Sequence, residues 1–218
     1  MPRIDDMIDQ LGKASFISTL DLTRGYWQVP VVDSDRPKTA FITPFGLYQF
    51  KTMPFGLQGA PATFQRMMDR LIQGLEGFTA AYLDDLVIYS STWEEHLQHL
   101  RQVFKRLQEA GLTAKPKKCQ FAMNQCKYLG HVVGNGVVQP ESGKVDVVKT
   151  FAIPEMKTQV QAYLGLTGYY RRFIPDYATV ALPLTDLTKK SVPNLVHWDT
   201  RCNQVKGIPM LLSSFTES

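Results

Sequence analysis

At 218 residues the chain can form one large domain or two small ones, and its 44% hydrophobic content supplies a sizeable core, which excludes wholesale disorder. Lys and Arg number 24 against 20 Asp and Glu, and the net charge of +4 is compatible with a polyanionic partner without requiring one. Cys119, Cys126 and Cys202 are odd in number and lack CxxC pairing, so free thiols in a reducing compartment are the simplest reading and a zinc site has no support.

The N-terminus, MPRIDDMIDQ, is polar from the start and no apolar run approaches membrane-spanning length, so neither secretion nor a membrane partner is expected. Residues 4–11 predict a short helix with Ile4, Ile8 and Leu11 on one face and Gly12 ending it. Residues 15–21, SFISTLD, alternate apolar and polar and predict a strand with Asp21 at its end. The chain then runs through Gly25, Tyr26, Trp27 and Gln28 into another apolar patch. Residues 39–50 predict a hairpin turning near Gly46, with Pro44 arguing for an edge strand. Residues 53–61, MPFGLQGAP, form a loop by their Gly and Pro content. A helix is expected over 62–75, with Phe64, Met67, Met68, Leu71 and Ile72 in one buried stripe.

Residues 78–90, FTAAYLDDLVIYS, place two short apolar runs on either side of Asp84 and Asp85, the pattern of a hairpin with an exposed acidic tip. Neighbouring carboxylates repel, which raises the pKa of one unless a cation sits between them. Mg2+ suits such a site because it takes a few carboxylate oxygens and leaves positions for water and phosphate. If the strand ending at Asp21 is a neighbour in the same sheet, three carboxylates converge and can hold two metal ions. Such a pair clamps the attacking and leaving oxygens of an in-line phosphoryl transfer.

Thr92 is an N-cap with Glu95 three residues later, a capping box. The helix it opens carries Leu97, Leu100, Val103, Phe104, Leu107 and Ala110 on one face and stops at Gly111; His96 and His99 read as surface residues. KPKK, 115–118, is basic and helix-breaking, and residues 127–138 predict two strands around Gly134-Asn135-Gly136. From about Pro140 the character changes. Residues 145–151 and 159–173 read as helical, separated by Pro154, and the pattern decays beyond Pro193.

Four of these stretches resemble reverse transcriptases. YLDD between apolar runs resembles the family's catalytic hairpin, and FISTLDLTRGYWQVPV the strand carrying its first catalytic aspartate. MPFGLQGAPATFQRMM resembles the substrate-side loop and helix, and YLGHVV the primer-gripping hairpin. The match is best with Ty3/gypsy-type long-terminal-repeat retrotransposons, whose segment leading towards ribonuclease H is similar to AYLGLTGYYRRFIPDYATVALPLTDLTKK. An isolated DD pair is weak evidence, whereas four motifs in the right order are strong.

The resemblance implies an α+β fold: a palm with a small antiparallel sheet and packed helices, partial fingers at 39–50, and a helical thumb or connection segment over 139–202. Residues 1–138 would be palm with partial fingers and 203–218 a divergent tail. The implied activity is RNA-directed DNA polymerisation. Asp21, Asp84 and Asp85 match the catalytic, metal-holding carboxylates, with the Leu22 carbonyl as an extra ligand for two Mg2+ or, alternatively, Mn2+. Tyr26 matches an aromatic gate against the 2′-hydroxyl, or is a core tyrosine. Phe55, Gly56, Gly59 and Pro61 match the loop facing the incoming nucleotide. Phe55 stands where retroviral enzymes carry Gln, so a direct hydrogen bond to the sugar is lost there while a stacking face remains. Lys118 matches a lysine that protonates pyrophosphate, or belongs to a solvated basic turn with Lys115 and Lys117. Tyr82 would meet the primer's last base pair. Leu129, Gly130 and His131 match the primer grip, and no second ligand is spaced to make His131 a metal site. Arg171 and Arg172, among Tyr169, Tyr170 and Phe173, suit a nucleic-acid backbone track or the solvated edge of an amphipathic helix. The implied partners are a primed RNA or DNA template and dNTPs, in a cytoplasmic particle or the nucleus. The family's fingers region precedes PRIDD, so the chain reads as a fragment, either an active domain or a catalytically silent remnant that binds nucleic acid.

Overall fold

The computed structural model describes residues 3–202 together with Val205, Ile208 and Leu212. The fold is α+β, and the chain divides into two compact units: one runs to residue 126 and includes 133–137, the other comprises 127–132 and the chain from 138 onward.

The first unit opens with α1 (Ile4–Gly12), which buries Ile8 and Leu11 as the spacing predicts, with Met7 buried beside them and Ile4 only half-buried. Strand β1 (Phe16–Asp21) follows, then a single 3-10 turn, Gly25–Gln28, and a longer 3-10 segment, Asp33–Thr39, that hydrophobic periodicity did not signal. β2 (Phe41–Thr43) and β3 (Gly46–Tyr48) make the expected hairpin. α2 (Ala60–Leu71) starts two residues earlier than the pattern suggested and ends four residues earlier. Pro61 belongs to its first turn, where the missing N–H has no helical partner to lose. β4 (Thr79–Tyr82) and β5 (Asp85–Ser90) form the acidic hairpin, and α3 (Trp93–Glu109) begins at the predicted capping box of Thr92 and Glu95. The segment after KPKK contributes β6 (Gln120–Met123), a strand the sequence did not announce.

The sheet order is β4-β5-β1-β6, with β1 antiparallel to both β5 and β6. Ile17, Leu20, Leu86 and Ile88 are buried in it, and Phe64 and Met68 of α2 and Val103 and Leu107 of α3 close the core. One expectation fails on α3. His96 is fully buried, whereas Leu97 and Phe104 are 37% and 42% exposed. The buried stripe is rotated because His96 finds hydroxyl partners, Ser18 on β1 at 2.8 Å and Ser90 on β5 at 2.9 Å, so its imidazole can leave water without losing hydrogen bonds.

β7 (Cys126–Tyr128), β8 (His131–Gly134) and β9 (Val137–Pro140) form a three-stranded sheet. The predicted tight turn is present: Asn135 and Gly136 both have positive φ, 53° and 82°, as a two-residue hairpin turn requires. Within the first unit their N–H groups donate to Ala14 O and Gly12 O at 2.7 and 2.8 Å. The second unit contains α4 (Ser142–Lys149), α5 (Lys157–Tyr169), a 3-10 turn Arg171–Phe173 and α6 (Tyr177–Leu187). α6 escaped the sequence reading because Pro183 lies inside it. Val145, Val160, Tyr170 and Leu184 build its core, joined by Val205, Ile208 and Leu212. The remainder of the expected tail, 203–218, lies outside the described residues.

Candidate active site

Antiparallel pairing of β1 with β5 runs from Phe16↔Ser90 to Asp21↔Asp85, so the two aspartates are direct cross-strand partners. Side chains at paired positions share a face of the sheet, with Cβ atoms about 5 Å apart. Asp84 belongs to the two-residue turn between β4 and β5, and Tyr82 pairs with Asp85 across it. The turn needs Leu83 at φ 51°, a left-handed conformation that costs a non-glycine residue about 1 kcal/mol. Two contacts hold it there. Leu22 N–H donates to Asp84 O at 3.1 Å, tying the turn to the end of β1. Gln65, buried on α2, accepts from Leu83 N–H at 2.9 Å and donates to Ala81 O at 3.0 Å and Asp69 Oδ1 at 2.9 Å.

Gly25 is the second feature that shapes the acidic cluster. Its Cα lies so close to Asp84 that a Cβ would overlap Oδ1 and come within 2.8 Å of Phe64 Cζ. Neither Gln65 nor Gly25 stood out as a site residue. A glutamine inside an apolar helical stripe was the available signal for Gln65. A lone glycine between Arg24 and Tyr26 offers none.

The carboxylates are under electrostatic stress. Loss of hydration, then the charges of Asp85 and Asp21, push the Asp84 carboxyl above its ordinary range; loss of hydration and Asp21 do the same to Asp85. Lys118, in the 3-10 turn Pro116–Lys118, partly compensates: its ammonium lies 2.9 Å from Asp21 Oδ2. That hydrogen bond and the acidic cluster in turn raise the lysine's pKa. Among the described residues, no group of three or more His, Cys, Asp or Glu side chains closes on a single ion position. The donor set nevertheless fits a divalent cation. Asp84 Oδ1 is buried with no hydrogen-bond partner among the described residues, and the cluster already draws in the Lys118 cation.

The other expected residues fall into two groups. Tyr26 sits in the turn Gly25–Gln28, with its ring centroid 5.4 Å from Phe64 and 5.3 Å from Phe55. Burial and the Asp84 charge raise its phenol pKa. Phe55 is 60% exposed, Gly56 has φ 91°, and Gly59 is the N-cap of α2. These residues, Leu22, Tyr82 and Lys118 belong to the first unit with the three aspartates. In the second unit, Leu129 and Gly130 form a two-residue turn with φ 45° and 72°. Tyr169 OH donates to Leu129 O at 2.7 Å and Tyr170 OH to Gly130 O at 2.9 Å. His131 is buried, and its Nδ1 donates to Leu129 O at 2.9 Å. Arg171 and Arg172 are exposed on a 3-10 turn rather than on the helix, and Arg172 lies over the Phe173 ring at 5.6 Å.

Comparison with known proteins gives the family and the fold. A family model for reverse transcriptase (RNA-dependent DNA polymerase) matches residues 1–133. The retrovirus-related Pol polyprotein from transposon 297 of Drosophila melanogaster is 40% identical over 87% of this chain, and that from transposon gypsy 36% over 87%. The chain spans 18% of the length of each. A foamy viral protease-reverse transcriptase solved with double-stranded DNA superposes with a TM-score of 0.87 at 24% identity, over 100% of this chain and 38% of that one. The same enzyme with an RNA/DNA hybrid gives 0.79 at 25% identity, over 96% and 28%. Reverse transcriptases as a family work with divalent metals.

Proposed function

The chain belongs to the reverse transcriptase family, as the domain found in retrotransposon Pol polyproteins, and we propose that it extends a primer on an RNA or DNA template by adding deoxynucleotides. The pairing of Asp21 with Asp85 beside the orphaned carboxylate oxygen of Asp84 is the observation that carries this reading. Asp21, Asp84 and Asp85, with the Leu22 carbonyl, would hold two Mg2+ ions, which when bound neutralise charge on the transferred phosphate.

The chain's own residues do the positioning. Tyr26, supported by Phe64, offers a flat apolar floor with no room for a 2′-hydroxyl, and Phe55 presents a stacking face beside it. Tyr82, next to the turn, meets the primer end. Lys118 balances the acidic cluster before substrate arrives and is within reach of it to give a proton to departing pyrophosphate. The Leu129-Gly130 turn, held by two tyrosine hydroxyls, gives the primer backbone a rigid rest, and Arg171 and Arg172 meet phosphates. Binding of duplex by the foamy viral relatives is consistent with this assignment.

Primer extension on an RNA template with Mg2+ tests it, against an Asp84→Asn, Asp85→Asn double variant. Extension by the parent chain that disappears in the variant is expected. Template retained on a filter by both proteins, with extension by neither, would leave a nucleic-acid-binding domain without catalysis.

A further inference from the structure

Tyr26 lies on a single 3-10 turn of four residues, Gly25–Gln28. Such a turn makes too few internal hydrogen bonds to hold its own place, so its position must be set from outside. Its far end is pinned by backbone: Val29 O accepts from Met53 N–H at 2.9 Å, and Pro30 bridges Thr52. Gln28, the turn's last residue, adds a side-chain anchor that reaches back across the turn to Thr23. Gln28 Nε2 donates to Thr23 O at 2.6 Å and to Thr113 O at 3.0 Å, and its Oε1 accepts from Thr113 N–H at 2.7 Å and Thr113 Oγ1 at 3.1 Å.

Both donors and both acceptor positions of the carboxamide are therefore used. Flipping the amide would set its NH2 against an N–H and its oxygen against two carbonyls, so the network fixes the orientation. The partners matter as much as the number of bonds. Beyond Asp21 the chain keeps pairing with the segment after α3: Lys115 N–H donates to Asp21 O at 2.8 Å, Leu22 bridges Ala114, and Thr23 N–H donates to Thr113 O at 3.0 Å. Gln28 adds one more rung to that ladder. The turn bearing the aromatic gate is thus tied to the backbone bearing the first aspartate.

We propose that Gln28 is a positioning residue that fixes Tyr26 relative to Asp21 and so sets the discrimination between deoxy- and ribonucleotides. The proposal rests on the polymerase reading above. A gate made of packing alone can drift, and small displacements at a reacting centre change rates strongly. Loss of the carboxamide frees Tyr26 to tilt towards Phe55, opening space where a 2′-hydroxyl would sit.

Gln28→Ala and Gln28→Glu test it. Glutamate keeps length and shape but confronts the Thr23 and Thr113 carbonyls with acceptors, so a space-filling role would leave that variant intact. Three measurements run in parallel: amide hydrogen exchange, thermal midpoint, and primer extension with deoxy- or ribonucleotides. Exchange at residues 25–29 and at Thr113 should quicken about tenfold in both variants, the scale of losing hydrogen bonds that govern a local opening. The deoxy-to-ribo ratio of kcat/KM should fall about fivefold, with β5 protection and the midpoint nearly unchanged. Unaltered exchange at 25–29 overturns the lock. Faster exchange with an unaltered sugar ratio overturns the positioning role. Absence of extension by the parent chain strikes the polymerase reading itself, and the exchange comparison then decides the lock alone.

Discussion

Asp21 and Asp85 are cross-strand partners at the end of the β1–β5 ladder, which brings residues 64 positions apart in sequence onto one face of one sheet. Each pair of the ladder before them, from Phe16↔Ser90 onward, fixes the register. A slip of one residue would turn every side chain of β1 to the other face and bury Asp21.

The same proximity makes the acidic cluster a source of instability. Asp84 is raised by loss of hydration and by Asp85 and Asp21, so its folded pKa lies above its unfolded one. A carboxyl shifted this way favours the folded state at pH values low enough to protonate it, and that contribution is lost as pH rises through the folded pKa. At neutral pH the ionised group therefore works against folding. Asp84→Asn removes the repulsion and is expected to raise the thermal midpoint by a few degrees, about 1 kcal/mol in a chain this size, while abolishing primer extension. A midpoint that falls would show that the carboxylate makes a stabilising contact in the metal-free fold.

Gly25 has a different dependence on Asp84. Any Cβ there meets Asp84 Oδ1 and Phe64 Cζ together, and the carboxylate is the one more free to move. Gly25→Ala should leave circular dichroism unchanged and lower kcat/KM by about a hundredfold, the usual cost of misplacing a reacting group by about an ångström. Asp84 is the group displaced, so the loss should appear in kcat rather than in KM for template. A variant that extends primers normally would remove Gly25 from the account of the site.

Gln65 secures the acidic turn through backbone alone, accepting from Leu83 N–H and donating to Ala81 O. Gln65→Ala leaves a buried donor and acceptor unpaired beside a residue already in a left-handed conformation, a loss of about 2 kcal/mol. Urea unfolding should give that value with an unchanged m, and exchange of the Leu83 amide should quicken more than that of Ile88 in the middle of β5. Equal acceleration at both positions would mean global destabilisation and no special hold on the turn.

Much of the first unit can be read from the sequence because its apolar residues keep the strand or helix period within each element. SFISTLD, TAAYLDDLVIYS and the Thr92 capping box each carry a local signal that tertiary contacts only reinforce. The three aspartates were legible from their place at strand ends. Other features depend on partners distant in the chain. The rung between Gln28 and Thr113 spans 85 residues, and nothing near either residue marks it. β6 carries bulged, partial pairing with β1, and α6 contains Pro183, so both defeat periodicity. His96 was misassigned for a similar reason: a histidine beside glutamates on a helix looks solvated until the two serines it reaches are known.

Those serines make His96 a test of how acid acts on the fold. Ser18 Oγ accepts from Ala122 N–H at 2.9 Å and lies 2.8 Å from His96 Nε2, while Ser90 Oγ lies 2.9 Å from His96 Nδ1 and 2.8 Å from His99 Nδ1; with the Ser18 proton given to Nε2, His96 Nδ1–H donates to Ser90 Oγ and the Ser90 proton goes to His99 Nδ1. This one-directional chain satisfies every member only with His96 neutral. Burial, then the neighbouring His99, lower the His96 pKa below its ordinary value. The unfolded chain therefore binds the proton more readily. His96 contributes its full stability above the unfolded value of about 6.5 and loses it as pH falls below that. The thermal midpoint should drop between about pH 7 and pH 5, opposite in sign to the relief that Asp84 and Asp85 gain on protonation. His96→Gln keeps a donor and an acceptor without a titrating ring, so its midpoint at pH 7 should be modestly lower and its decline towards pH 5 shallower. If both proteins decline in parallel, His96 is not the acid-sensitive member of the relay.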